Sequence, residues 1–405
     1  MSIINYNIFI NFIKELFFEV PKDNQEPIKK DKEEPIKKDK EEYKKQFDDL
    51  YDSYCKRFIV DKQPDVLDAV ERIIVIGDIH GDFELLKSSL KLASVIDDND
   101  NWIGDKTVIV QVGDQIDRCR DKDCNTLVDT NDKNDDWNIL KYMTILHNKA
   151  IKQGGAVYSL LGNHELMNTD GVFNYVSKKG LDEFTLDKEY LGVEDETIKP
   201  NNPNKPNNPN KPNNPNKPNN PNKPNNPNKP NNPNLRKWAF SRGKPISKFL
   251  ACTRKMCIII GSNIFVHAGI LNHYNITITD INKIISSYLF DASVNINNDN
   301  DLLNPYKSPL WTREFAKNED CNKLLNPLDT FISKSTNMKI TKIGSIIVGH
   351  TPDLSGIKSK CDKKIWLTDY GASIAFDKFR GNNNPPKKIQ VLEIKNDNEI
   401  KILTQ

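Results

Sequence analysis

Five short apolar runs, each ending in glycine or histidine followed by polar residues, constrain the fold of this 405-residue chain more than any other feature. The runs are Arg72–Ile76, Thr107–Val112, Ala156–Leu161, Ile264–Val266 and Ser345–Val348, of strand length and rich in β-branched residues. They lead into Gly77-Asp78-Ile79-His80-Gly81, Gly113-Asp114-Gln115-Ile116-Asp117-Arg118, Gly162-Asn163-His164-Glu165, His267-Ala268-Gly269 and Gly349-His350-Thr351. Between them, Phe83 to Ile96 and Trp137 to Ile151 carry apolar residues at the three-to-four spacing of amphipathic helices. That alternation predicts an α/β or α/β/β-sandwich domain.

Two low-complexity segments interrupt the foldable chain. A perfect hexapeptide, Lys-Pro-Asn-Asn-Pro-Asn, runs six times from Lys199 to Asn234 and holds 12 of the 23 prolines. Its prolines remove backbone donors and block helix, and without an apolar position it cannot stack a core. It is expected to be a disordered insert tolerated in a surface loop; a lysine-studded docking arm is the alternative. Nearer the N-terminus, the octapeptide PIKKDKEE occurs at Pro27–Glu34 and again at Pro35–Glu42. Residues 21–45 therefore read as a charged, solvated linker. The apolar leader, residues 1–20, has no basic n-region and is interrupted by Lys14, Glu15 and Glu19. It reads as neither a secretory signal nor a membrane span, but as a segment packed on the domain; an interfacial or partner-binding helix is the alternative. One domain, residues 46–198 and 235–405, remains.

Composition excludes a nucleic-acid argument. The whole chain has 58 basic and 56 acidic residues, and removing the 6 repeat lysines leaves an acidic remainder, so no nucleic-acid partner is expected. The seven cysteines, Cys55, Cys119, Cys124, Cys252, Cys257, Cys321 and Cys361, are odd in number, scattered, and form no Cys-x-x-Cys pair. They read as reduced thiols in a cytoplasmic-type reducing compartment, not as a secreted disulfide scaffold.

The chemistry sits at the ends of the runs. Four of the six histidines fall in the five motifs. In α/β folds the carboxyl ends of strands are where loops converge side chains on one crevice. Burying aspartates there is costly unless a positive group compensates them. Metal ions supply that compensation, and carboxylate, imidazole and amide donors without thiolates suit Mn²⁺, Fe or Zn²⁺.

The ordered set GDIHG, GDQIDR, GNHE, HAG and GHT resembles the metallophosphoesterase superfamily, and within it the phosphoprotein phosphatase family. Ser308–Arg313 and Val348–Pro352 resemble its bacterial-type, Shewanella-like branch. The resemblance spans about Arg72 to Gly371. It implies a β-sandwich of mixed sheets flanked by helices, two divalent cations, and a phosphorylated protein as substrate, with Ser/Thr or Tyr phosphate left open. By motif, Asp78 and His80 would bind the first metal, Asp114 would bridge both, and Asn163, His267 and His350 would complete the second. His164 would be the general acid, oriented and kept cationic by Asp117. Arg118 and Arg313 would clamp the phosphate, and a metal-bound hydroxide would attack phosphorus with no phosphoenzyme. A nucleotide or dinucleoside-polyphosphate hydrolase, and an inactive phosphoprotein-binding module, stand as alternatives.

One position departs from the family pattern: Cys119 stands where glycine is expected after Asp-Arg. It reads as an inert loop thiol, a redox role with Cys124 being the alternative. His147 and His273 belong to no motif and read as ordinary surface or packing histidines. Trp311 is expected to pack in the core.

Overall fold

The computed structural model describes residues 52–121, 133–182, 234–271, 276–292, 300–336, 342–380 and 387–405, with isolated positions at 49, 124 and 340. Chain contacts separate Met1–Asp48 from Asp49–Gln405, and every described residue lies in the second unit. The leader, the charged linker, the hexapeptides up to residue 233, and His273 fall outside the described residues.

Two six-stranded sheets carry the fold. One takes the order β1 (Val66–Leu67), β6 (Cys257–Ile260), β7 (Asn263–Val266), β8 (Ser345–Val348), β10 (Ile365–Leu367), β9 (Lys358–Lys360). The other takes the order β12 (Glu399–Thr404), β11 (Gln390–Lys395), β2 (Arg72–Ile76), β3 (Val108–Gln111), β4 (Ala156–Leu160), β5 (Arg254–Lys255). All five predicted runs are strands. Three of them, β2, β3 and β4, are parallel neighbours with Ile73 opposite Val108 and Ile109 opposite Val157. The other two, β7 and β8, are parallel neighbours in the second sheet. Each sheet also contains antiparallel pairs, β11 with β2 and β6 with β7 among them.

The helices are α1 (Phe83–Leu92), α2 (Asp136–Ile151), α3 (Asn163–Thr169), α4 (Lys178–Asp182), α5 (Asn234–Phe240), α6 (Pro245–Thr253), α7 (Ile278–Phe290), α8 (Asn300–Leu303), α9 (Glu314–Lys317) and α10 (Cys321–Ser335). Asp82 caps α1 by accepting from the Leu85 N–H at 3.0 Å, and Ala93 follows its last turn, so the helix stops short of the predicted Ile96. One apolar cluster joins Ile73–Ile76, Ile109 and Val157 to Leu86 and Leu90 of α1, Ile139 and Met143 of α2, and Ile258, Phe265 and Ile347 of the facing sheet. A sheet covered by helices on one face and by a second sheet on the other buries both faces of each central strand. For that reason β2, β3 and β4 read as continuous apolar runs and not as alternating ones. His147 is buried in α2, with Nδ1 on the Val157 carbonyl at 3.0 Å and Nε2 3.3 Å from Asp61, a packing histidine as expected.

The cysteine reading is corrected. Cys55 pairs with Cys252, Cys119 with Cys124 and Cys321 with Cys361, at Cα separations of 5.1, 5.7 and 5.5 Å, while Cys257 in β6 is a buried free thiol. Sequence spacing concealed this because the fold, not a compact motif, brings partners 197 and 40 residues apart together. The cysteine argument for a reducing compartment falls with the correction. Among the described residues, no helix is long and apolar enough to cross a membrane.

Purified protein is expected to show three bonds by non-reducing peptide mapping, and reduction should lower its thermal midpoint. The Cys55–Cys252 bond, which closes the longest loop, should dominate that loss at about 2–4 kcal/mol. Ready alkylation of all cysteines in the native, unreduced protein would contradict the pairing.

Candidate metal centre at the shared strand ends

The chain leaves β2, β3, β4, β7 and β8 through glycine- and histidine-containing turns that converge on one buried cluster. Close approach of backbone makes two of the glycines obligatory. A Cβ at Gly162 would stand 2.1 Å from Asp114 Oδ1, and one at Gly349 would stand 2.1 Å from Asp78 Oδ1. His80, Asp114, Asp117 and His350 themselves take positive φ values of 46°, 52°, 70° and 68°. Such left-handed backbone in non-glycine residues is uncommon and concentrates at functional sites, where surrounding contacts enforce it.

Asp114 Oδ2 lies at the centre. His267 Nε2 is 3.3 Å from it, and His80 Nε2 and His164 Nε2 are each 3.8 Å away. Asp78 Oδ2 is 3.8 Å from His80 Nε2. Asn163 Oδ1 is 3.0 Å from His267 Nε2, and the His267 and His350 rings lie 5.0 Å apart. The ring nitrogens facing away are occupied: His267 Nδ1–H donates to the Val112 carbonyl at 2.8 Å, and His80 Nδ1–H donates to Ile116 at 3.3 Å. Because a carbonyl only accepts, each bond assigns the tautomer and leaves the Nε2 lone pair turned toward the carboxylates. On His350 the outward donor is Nε2, 3.0 Å from the Trp311 carbonyl, leaving Nδ1 on the inner side. Lone pairs from His267, Asn163 and Asp114 therefore face one another, an arrangement that needs a proton or a cation between them.

The electrostatics agree with that need. Burial pushes the Asp78 carboxyl well up, aided by Asp369 and Asp114 beside it. Burial would raise Asp114 as well, but His267, His164 and His80 hold it well below the usual range. Burial carries Glu165 up to about 7 and Asp369 up to about 6. Burial lowers His80, helped by the Arg120 and His164 charges, and lowers His350, helped by His267 and Arg313. Burial also opposes the charged form of His267, yet Asp114 beside it raises it. His80 and His350 are thus neutral, the state that metal ligation requires, whereas His267 keeps its proton for Asp114 until a cation displaces it.

Two overlapping donor groups could hold a cation: His80, Asp114 and His164, and Asp114, His267 and His350, each with donor atoms within 4.8 Å of one another. Both share Asp114, the expected bridge. His164 falls in the first group, and Asp78 stands at its edge against His80. His164 is also tied to the opposite side, with Nδ1 2.8 Å from Asp117 Oδ2, while its backbone N–H donates to Asp114 Oδ1 at 3.0 Å.

The two arginines singled out from sequence are differently held. Arg118 is half-buried beside the Gly81 turn, and Arg313 Nη1 donates to the His350 carbonyl and to Thr351 Oγ1 at 3.2 and 3.1 Å. Trp311 is half-buried with its ring edge-on to His350 at 6.1 Å, so it lies at the centre and not in the core. Three further neighbours of the cluster were not singled out from sequence, although Glu165 ends the GNHE motif. Glu165 accepts from the N–H groups of Gly162, Asp114 and Gln115 at 2.7, 3.1 and 2.8 Å and so ties two of the turns together. Arg120 donates to the carbonyls of Asp117 and Cys119 and lies over the rings of Tyr175 and Phe376, at 5.1 and 5.0 Å from their centroids. Arg236 reaches Asp117 from the far side of the repeat.

Two mixed sheets packed on a common core, with imidazoles and carboxylates gathered where strands of both end, define a phosphoesterase-type sandwich. The chain belongs to the calcineurin-like phosphoesterase family, whose sequence model matches residues 71–354. It is 29% identical over 352 residues to Shewanella-like protein phosphatase 2 of Arabidopsis thaliana, an alignment covering 82% of this chain and 78% of the relative. It is 30% identical over 287 residues to an uncharacterised protein of Acanthamoeba polyphaga mimivirus, covering 65% and 98% respectively. A cold-active protein-tyrosine phosphatase of a psychrophilic Shewanella species shares the fold, with a TM-score of 0.55 at 18% identity over 86% of this chain and 83% of that one. The name of the plant relative agrees with the Shewanella-like branch that the motifs resemble.

Because burial raises Asp78, protons compete with a cation for it until the pH passes its folded-state pKa. Apparent Mn²⁺ affinity should therefore keep rising with pH above the ordinary carboxylate range, with release of protons on binding. Calorimetric titration in buffers of different ionisation enthalpy measures both, and a pH-independent affinity would contradict the ligand assignment.

Proposed function

We propose that this chain is a phosphoprotein phosphatase that hydrolyses phosphomonoesters with two divalent cations, Mn²⁺ or an Fe/Zn combination, and His164 as general acid. The observation that carries the reading is the His164–Asp117 pair, closed at 2.8 Å on one side of the same carboxylate that His80 and His267 approach on the other.

Asp78 and His80 would hold one cation and Asn163, His267 and His350 the other, with Asp114 between them. When bound, the cations supply a water of lowered pKa and neutralise the phosphate charge. The protein groups divide the remaining work. Arg118 and Arg313 orient the phosphate, since a guanidinium fork matches two of its oxygens. Asp117 accepts from His164 Nδ1–H and fixes the ring, so that the opposite nitrogen, Nε2, is the one that would pass a proton to the departing alcohol oxygen. An alkoxide is a poor leaving group, and a proton delivered at that atom lowers the barrier most when the ester is that of serine or threonine. Near-complete burial of Asp114, His267 and Asp117 excludes bulk water from these contacts and strengthens each of them. A protein substrate is supported by the protein-phosphatase relative, which aligns with most of both chains.

His164→Asn should cut turnover about 10²- to 10⁴-fold while bound metal is retained, whereas Asp114→Asn should lose both. Elemental analysis beside steady-state kinetics separates them, and equal metal loss in the two variants would overturn the division of roles. With Mn²⁺ present, phosphoserine, phosphothreonine and phosphotyrosine peptides should be preferred over diadenosine tetraphosphate. Preference for the dinucleotide would make the chain a nucleotide hydrolase, and inactivity toward every ester with every divalent metal would leave a phosphoprotein-binding module.

A further inference from the structure

We infer that Arg236 is a positioning residue for the acid pair, holding Asp117 in the single orientation that presents one oxygen to His164. The inference rests on reading His164 as the general acid.

Arg236 lies in α5, which starts at the last residue of the hexapeptide repeat, 119 positions after Asp117. Its side chain is fully buried, and its donors are all directed inward. Nη2 donates to Asp117 Oδ1 at 3.0 Å and to Asp136 Oδ2 at 2.8 Å, Nε donates to Asn168 Oδ1 at 2.7 Å, and Nη1 donates to the Gly180 carbonyl at 2.9 Å. Asn168, on the α3 helix that also carries His164, turns its amide nitrogen to both oxygens of Asp117 at 2.9 Å. Asp136 in turn accepts from the Asp117 backbone N–H at 3.3 Å. The Asp117 carboxylate thus has Oδ1 occupied by Arg236, both oxygens pinned by Asn168, and Oδ2 left for His164.

A burial of this kind needs a cation. Asp117 and Asp136 are two carboxylates in one water-excluded box, and without a guanidinium between them at least one would protonate or turn away. A neutral or rotated Asp117 would no longer fix the imidazole with Nδ1–H outward and Nε2 toward the cluster. The rigid fork matters as well as the charge, because each nitrogen meets a different acceptor on a different element. A purely structural alternative has Arg236 bolting α5 to α3 and to the Gly180 turn. The two roles differ in one respect: a bolt affects every substrate alike, whereas a positioner of the acid affects those substrates that need the acid.

The test compares Arg236→Gln with wild-type protein on two esters, phenyl phosphate, whose leaving group needs a proton, and p-nitrophenyl phosphate, whose leaving group needs it far less. Turnover of phenyl phosphate should fall about 10- to 100-fold, the usual effect of removing a partner one step from the reacting groups, and p-nitrophenyl phosphate much less. In the metal-free protein, the far-downfield proton resonance of His164 Nδ1–H, assigned by its loss in His164→Asn, should be displaced or broadened by the substitution. Equal losses on both esters, or an unchanged resonance, would overturn the inference. Should Arg236→Gln not fold, Arg236→Lys keeps the charge while losing the fork and should show the same split. Wild-type protein that cleaves neither ester would sink the phosphatase reading, and the resonance would still decide the placement of Asp117 by Arg236.

Discussion

The carboxylate of Asp114 is the constraint on which the remainder of the site depends. Three imidazoles stand within 3.8 Å of its Oδ2, its other oxygen accepts the His164 N–H, and its backbone N–H is held by Glu165. One buried anion thereby sets the positions of three strand-end turns. The turns after β2, β4 and β7 come from both sheets, so the sandwich cannot slide without breaking contacts to Asp114. Packing of the core and geometry of the chemistry are in this sense one requirement: Ile109 and Val110 in β3 lie in the centre of the apolar cluster, four or five residues before the anion.

Parallel pairing explains why so much of this was legible in the sequence. Parallel strands point their carboxyl ends the same way, so a polar motif after each apolar run implies a shared crevice before any coordinate is known. All five runs were strands, and the residues read as ligands do meet. The contact between His164 and Asp117 was also readable, because Asp117 is three residues from Asp114 and His164 is beside Asn163. Strands β11 and β12 were not singled out, since Gln390–Lys395 and Glu399–Thr404 mix charge with aliphatic residues and end in no polar motif.

What stayed hidden was carried by long-range pairing between ordinary residue types. Cys55 and Cys252 are 197 residues apart, and neither has a neighbour in sequence that marks it as a partner. Arg236 follows a low-complexity segment and resembles any basic residue at the start of a short helix, although it is fully buried against two aspartates. Arg120 differs from Arg118 only by two positions, yet it is the one whose charge bears on His80. Both arginines lie on the loop that is tied by the Cys119–Cys124 bond, formed at the position where the family pattern has glycine.

The positive φ values of His80, Asp114, Asp117 and His350 narrow what can ever occupy those positions. Left-handed backbone is tolerated best by glycine, asparagine, aspartate and histidine. Three of those four residue types are also the oxygen and nitrogen donors gathered in the proposed centre, so backbone conformation and ligand chemistry would select from nearly the same short alphabet. Replacement by alanine at any of these sites would remove a donor and impose a backbone penalty together, and the two effects could not be told apart. Asparagine preserves the turn while changing the donor. It is therefore both the cleaner experimental probe and the substitution that mutational drift could most readily leave behind in a chain whose fold outlasts its activity.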